Sequence, residues 1–310
     1  MTPDIEICEV GPRDGLQIIP AFMPTEAKKA WIAAEHAAGV ATIEVCSFIP
    51  PKLSQQFADA AEVVAFARGL PGLSVVALVP NLKGAERAAA AGAHQISFPL
   101  SASHSHSLSN LRKTPDEQLA ELTRTVEFLK TLPAETRPQL SAGISTAFGC
   151  SIEGLVPEAQ VLSFLERIIA IGPDSVSLAD TVGYGNPAQV RRVMKEARRM
   201  AGKMSLAGHM HDTMGLGLAN SLAAFEAGCD SLDASLSGLG GCPYAPGASG
   251  NVATEDLVFM LESMGVRTGI NLEQLMAVRE IIAAALPDTP LYGRIAAVGL
   301  PKSYRQAMAA

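Results

Sequence analysis

The sequence predicts an α/β protein, a (β/α)8 TIM barrel with a C-terminal helical extension, and three observations carry that reading. Eight short β-rich runs recur, each is separated from the next by a helical pattern or a long loop, and several helices end in a small residue plus Gly just before the next strand. Strands that alternate with helices pair in parallel through crossover connections, and eight such units within 310 residues are what a closed barrel requires. An open doubly wound sheet, built from the same alternation, is the alternative.

The β-rich runs are Ile5–Val10, Ala41–Cys46, Ser74–Val79, His94–Pro99, Gln139–Thr146, Ser175–Ala179, Met204–His211 and Ser231–Ser235. Between them, Thr25–Ala38, Leu82–Ala91, Asp116–Leu132, Pro157–Ile171, Pro187–Met200 and Gly215–Ala227 place Ala, Leu and other apolar residues at helical spacing. The punctuation stands at Ala38-Gly39-Val40, Ala91-Gly92-Ala93, Ile171-Gly172-Pro173 and Ala227-Gly228-Cys229, a weak internal repeat of the β/α unit. Two further helices, Thr254–Met264 and Leu272–Leu286, follow the eighth strand, and Pro287–Ala310 shows no clear pattern. No boundary interrupts the chain, so residues 1–310 are expected to form a single catalytic domain, with 254–310 as the extension.

The composition, 48% hydrophobic and 18% charged, supports a large core and excludes a disordered chain. A net charge of −7 without a dense Lys/Arg run argues against nucleic acid or a membrane surface as partner. The N-terminus lacks the basic start and apolar stretch of a signal peptide, and no apolar run reaches about 18 residues, so the chain is expected in the cytoplasm. Cys8, Cys46, Cys150, Cys229 and Cys242 are odd in number, scattered and without C-x-x-C spacing, which indicates neither a disulfide framework nor a structural zinc site.

A barrel carries its active site at the C-terminal ends of its strands, and the unusual polar residues collect there. After the first strand, Gly11-Pro12 turns the chain so that Arg13 and Asp14 stand at the rim, as a surface ion pair or as site groups. Period-2 alternation in the second strand sets Glu44 opposite Ile43 and Val45, pointing inward, where a carboxylate is costly unless a cation or hydrogen bonds compensate it. His209 and His211 share one face of the seventh strand and converge, the geometry of two ligands on one metal. Asp180 ends the sixth strand, as a turn cap or a site carboxylate. The Gly-rich segment Gly238–Asn251 reads alone as a linker, a phosphate cradle or a lid whose lone Cys242 delivers an acid or base. Gly215-x-Gly217 lacks the third Gly of a dinucleotide fingerprint, and the Ser-rich stretch Ser101–Ser107, with its own His-x-His, reads as an irregular loop rather than a metal site.

Glu9–Gln17 (E-V-G-P-R-D-G-L-Q), His209–Thr213 (H-M-H-D-T) and Gly238–Asp256 together resemble the 3-hydroxy-3-methylglutaryl-CoA lyase family, with shorter matches at Pro80–Gly84 and Leu178–Gly183 in the expected order. The resemblance runs from about Ile5 to the helix near Leu286. It implies metal-dependent retro-Claisen cleavage of a 3-hydroxyacyl-CoA to acetyl-CoA and a keto acid, acetoacetate for the usual substrate. By carry-over, Asp14, His209, His211 and Asn251 hold a divalent cation, Mg2+ or Mn2+, which that oxygen and nitrogen donor set suits. Arg13 would hold the developing enolate charge, and Cys242 on the lid would protonate the enolate. Glu44 and Asp180 would orient the metal shell and Arg13, either one able to assist removal of the hydroxyl proton. Gln17, Lys52 and Lys83 are the candidates for substrate and CoA contacts. Family habit adds an acyl-CoA partner, a homodimer and a place in leucine degradation.

Three departures from the family concern the substrate. Ile18-Ile19-Pro20 replaces the usual Asn-Glu after D-G-L-Q, an aromatic expected near Gly143 is missing, and the fourth strand's loop carries the Ser/His stretch. Citramalyl-CoA or a longer 3-hydroxy-3-alkylglutaryl-CoA is therefore an alternative substrate. A 2-oxo-acid aldolase or synthase of the same barrel group is a second alternative, disfavoured by the Cys242 loop, and a binding protein without turnover is a third, disfavoured by the full set of reactive residues.

Overall fold

The computed structural model describes residues 2–240 and 250–304, and in it eight parallel strands pair in chain order with the first closing on the last. The strands are β1 (Glu6–Glu9), β2 (Thr42–Ser47), β3 (Ser74–Leu78), β4 (Gln95–Ser101), β5 (Gln139–Ser145), β6 (Ser175–Asp180), β7 (Ser205–Met210) and β8 (Ser231–Ala234). The closing register pairs Glu6 with Ser231 and Glu9 with Ala234, so the closed barrel replaces the open-sheet alternative.

Around the strands run α1 (Thr25–Ala37), α2 (Ala60–Arg68), α3 (Leu82–Ala91), α4 (His104–Leu111), α5 (Pro115–Lys130), α6 (Glu158–Ile171), α7 (Pro187–Ala201) and α8 (Gly217–Glu226). The extension supplies α9 (Thr254–Ser263), α10 (Leu272–Ala285), which packs on α1, and the short α11 (Arg294–Val298). Outward residues of the strands, such as Ile43, Val45, Ile96, Phe98 and Leu100, are buried beneath this helical layer, each removal from water worth about 1.5–3 kcal/mol.

Three elements differ from expectation. Helix α2 was not expected, although Ala60, Val63, Val64 and Ala67 recur on one buried face at helical spacing. The Ser-rich stretch expected as an irregular loop contains α4, because the Ser103 side chain caps it by accepting the His106 N–H. Helix α11 lies in the tail that showed no pattern.

On the inner face of β4–β7, register sets Pro99 beside Gly143, Gly143 beside Ser177 and Ser177 beside Ala207. These four small residues are only half-buried, so this side of the barrel is not filled to the axis at that level.

Candidate metal centre

The chain leaves β1 through one π-helical turn, Gly11–Gly15, in which the N–H groups of Arg13, Asp14 and Gly15 all donate to the Val10 carbonyl at 3.1, 2.6 and 3.3 Å. This wide turn presents two adjacent side chains to the barrel mouth. Arg13 Nε donates to Glu44 Oε2 at 2.5 Å and Nη1 to Asp14 Oδ1 at 2.5 Å. Glu44 is fully inside, as the alternation of its strand predicts. Burial opposes the charge on Arg13, but Glu44 and Asp14 hold it protonated. Burial likewise works against the Asp14 anion, yet Arg13 and the two histidines hold its carboxyl well below the usual range. For Glu44 burial prevails over Arg13 and pushes the carboxyl up. Gln17 is exposed beside this pair, its Oε1 3.5 Å from Arg13 Nη1.

His209 and His211 converge from the end of β7, Nε2 to Nε2 at 3.0 Å. His209 donates from Nδ1 to Asp233 Oδ2 at 3.0 Å, which leaves its Nε2 lone pair for a ligand. Burial lowers the His209 imidazole, but Asp233 and Asp14 outweigh it and the net direction is upward. Asp14 Oδ2 stands 4.0 and 3.8 Å from the two Nε2 atoms. One donor atom from each of Asp14, His209 and His211 falls within a 4.8 Å span.

Asn251 reaches the same point because the returning chain threads onto the ends of β7 and β8. His211 and Asn251 form a bridge, Asp212 N–H donates to Gly250 O at 2.9 Å, and Ser235 N–H donates to Val252 O at 3.0 Å. Gly250 sits at φ +77°, where a Cβ would lie 2.0 Å from the Gly240 carbonyl, so only glycine permits this crossing. Asn251 Nδ2 donates to Asp14 Oδ2 at 2.7 Å and to Leu239 O at 3.1 Å, while its buried Oδ1 has no hydrogen-bond partner among the described residues.

The donors fit a divalent cation. Two imidazole nitrogens that face each other can share at most one proton, and a buried amide oxygen without a donor is costly, whereas a cation satisfies all three together with the Asp14 carboxylate.

Other predicted residues fall elsewhere. Asp180 pairs with Met210 rather than His209, and its carboxylate accepts the N–H groups of Tyr184 at 3.0 Å and Gly185 at 3.1 Å, with Asn220 Nδ2 at 3.4 Å. It caps the turn after β6 and does not join the Arg13 group; burial pushes its carboxyl up against those donors. Lys83 borders an open cavity of about 490 Å3 together with Lys113, Arg124 and Glu121. Lys52 is exposed on the turn after β2. Cys242 lies outside the described residues.

Two participants were not expected. Asp233 stands mid-strand in Ser231–Ala234 and carries the same alternation signal that singled out Glu44. Glu9 ends β1 on the outward face and is fully buried near Glu35, whose Oε1 accepts Trp31 Nε1–H at 2.5 Å.

A barrel with this ligand set beside a buried Arg–Glu pair defines a TIM-barrel protein with a divalent-metal type of site. The HMGL-like family model matches residues 4–282, and the chain belongs to that family. It is 40% identical to hydroxymethylglutaryl-CoA lyase of Bacillus subtilis over 93% of this chain and 96% of that protein. To the cytoplasmic 3-hydroxy-3-methylglutaryl-CoA lyase of Rattus norvegicus it is 38% identical over 92% of this chain and 82% of that protein. An HMG-CoA lyase structure from Acinetobacter baumannii, in complex with coenzyme A and 3-methylmalate, superposes with a TM-score of 0.90 at 40% identity, covering 97% of this chain and 98% of that one. No helix among the described residues is long and apolar enough to cross a membrane.

Two outcomes follow from the buried acids and histidines. Burial raises Glu9 from 4.5 to about 8, and burial together with the Glu9 charge raises Glu35. Groups raised on folding bind protons more tightly in the folded state, so their contribution is complete below pH 4.5 and is lost as pH rises toward 8. The thermal midpoint should therefore fall across that window, and Glu35→Gln should flatten the slope; a midpoint that rises with pH there would refute the assignment. Asp233→Asn should weaken Mn2+ binding by about 10- to 100-fold in titrations followed by electron paramagnetic resonance, with the fold intact by circular dichroism.

Proposed function

We propose that the chain is a carbon–carbon lyase that cleaves 3-hydroxy-3-methylglutaryl-CoA to acetyl-CoA and acetoacetate. The observation that carries this reading is the convergence of Asp14, His209, His211 and Asn251 beside the buried Arg13–Glu44 pair at the barrel mouth. Bound by those four residues, Mg2+ or Mn2+ would lower the pKa of the substrate's 3-hydroxyl.

Glu44 takes the hydroxyl proton, because its buried Oε1 has no hydrogen-bond partner among the described residues and its carboxyl is raised toward proton affinity. The C2–C3 bond then breaks, C3 becomes the ketone of acetoacetate, and the electron pair moves onto the thioester as an enolate. Arg13, held charged by Glu44 and Asp14, faces that developing charge from a site already organised before the reaction. Cys242 returns a proton to C2, completing acetyl-CoA. Asp180 supports this chemistry at a distance by holding the turn after β6.

Lys83, in a cavity where Lys113 and Arg124 both pair with Glu121, is the contact for CoA phosphates, while Gln17 borders the substrate beside Arg13. Lys52, exposed after β2, is a further phosphate contact. The chain acts as one catalytic unit, a homodimer in the cytoplasm, within leucine degradation; these rest on family resemblance, aided for the single unit by the packing of α10 on α1.

One observation favours a second reading. The small, half-buried residues Pro99, Gly143, Ser177 and Ala207 leave room beneath the mouth for a longer 3-alkyl analogue, while citramalyl-CoA, one CH2 shorter than the methylglutaryl substrate, rests on the sequence departures alone.

Acetyl-CoA release should be metal-dependent, lost in EDTA, and reduced about 100-fold or more in kcat by Arg13→Lys, which keeps the charge without the planar fork. Release in EDTA at the full rate would overturn the lyase mechanism. Comparing 3-hydroxy-3-methylglutaryl-CoA with citramalyl-CoA and a 3-butyl analogue separates the substrate readings: turnover of the methyl substrate alone rejects the second.

A further inference from the structure

We propose that Glu9 is a positioning residue for the metal ligands, its carboxyl group fastening the turn that carries Arg13 and Asp14 to both segments that flank residues 241–249. The inference rests on the metal reading of the site given above.

Glu9 Oε1 accepts the Gly11 N–H at 2.7 Å and the Leu236 N–H at 2.9 Å. Its Oε2 accepts the same Leu236 N–H at 3.1 Å and the Thr254 hydroxyl at 2.6 Å. Each donor sits at the edge of a segment that serves the site. Gly11 is the first residue of the π-helical turn. Leu236 begins the run from the end of β8 toward Leu239, whose carbonyl accepts from Asn251. Thr254 opens α9, three residues beyond Asn251. The contacts therefore join positions 227 and 245 residues apart in sequence.

Gly11 makes this possible, since a Cβ there would lie 2.5 Å from Glu9 Oε1 and 2.7 Å from Trp31 Cζ2. The E-x-G spacing at the start of the motif is thus a steric requirement of the carboxylate's approach to the Gly11 N–H. Glu9 is wholly buried and none of its hydrogen-bond partners is a cation. A carboxyl group so placed is costly to bury unless several donors converge on it, and here the donors are the segments themselves. Replacing one oxygen by an amide nitrogen removes an acceptor that both Leu236 and Thr254 use. The turn and the returning chain then shift relative to each other, and the Asp14–Asn251 contact lies between them.

Glu35 provides the contrast. It is equally buried in the same region, but its side chain accepts from Trp31 of its own helix, and among the described residues no side-chain hydrogen bond ties it to the three segments. A merely structural loss from the buried acids affects both residues alike, whereas a positioning role belongs to Glu9.

The test is Mn2+ titration of the full chain, followed by electron paramagnetic resonance, for the parent, Glu9→Gln, Thr254→Val and Glu35→Gln, with thermal midpoints of the metal-free proteins measured alongside. Glu9→Gln should raise the Mn2+ Kd about tenfold or more, on the scale of lost outer-shell contacts. Thr254→Val, which removes one of the three donors and keeps the shape, should raise it about threefold, and Glu35→Gln should leave it within twofold. Equal losses in Glu9→Gln and Glu35→Gln, or a Glu9→Gln Kd within twofold of the parent, overturn the inference. Should Glu9→Gln not fold, an unchanged Kd in Thr254→Val overturns it instead. A parent protein that binds no Mn2+ overturns the metal reading itself, and this inference with it.

Discussion

Every group of the site depends on β1 lying between β8 and β2. Asp14 follows β1, Glu44 projects from β2, Asp233 from β8, and the histidines from β7, so the contributors occupy four consecutive staves of the closed barrel. In an open sheet the first and last strands need not meet, and the Asp14–Asn251 contact, 237 residues apart, would have no cause. The closing register does this locally: Cys8 pairs with both Thr42 and Asp233, and Asp233 pairs in turn with His209. The entropic cost of bringing such distant residues together is divided among the β/α units, each closing a short crossover, rather than falling on one long loop.

Closure brings charge into a region with little water, and the arrangement of Arg13 shows how that is tolerated. Its Nε and Nη1 each meet a different carboxylate, from neighbouring strands. Removing one member of such a group strands the others and costs about 3–5 kcal/mol. Asp14 faces four neighbours at once, Oδ1 toward Arg13 and Oδ2 toward Asn251 and the two histidines. The carboxylate beside the two histidines is thereby held ionised, which is the form a cation requires.

Local patterns in the sequence reveal only some of these relationships. The barrel is legible because alternation and Gly punctuation repeat through the chain, and Glu44 and the two histidines are legible because period-2 geometry assigns a face to each. Asp233 carries the same signal, but a four-residue strand offers only two residues per face, too few for alternation to single it out. Asp180 shows the limit of reading strand ends: one residue of parity sets it on the side of Met210, where backbone donors occupy it. Glu9 was illegible as a functional group because its three donors come from residues 11, 236 and 254, and no local pattern announces a carboxylate on which distant segments converge. Helix α4 was obscured by its serines, which read as loop until one of them is recognised as a cap.

The same carboxyl chemistry therefore serves different ends according to which face of the barrel wall it occupies. Asp14 points inward beside a guanidinium and stays ionised, suited to a cation. Glu44 also points inward, but burial outweighs its single hydrogen bond to Arg13, leaving an oxygen without a partner and an affinity for protons, suited to a base. Asp180 lies on the opposite face with both oxygens engaged by its turn and Asn220, an arrangement that orders the backbone there. Sequence alone leaves Glu44 and Asp180 unranked; of the two, Glu44 alone keeps a carboxyl oxygen with no hydrogen-bond partner among the described residues, the state that the proposed proton transfer calls for.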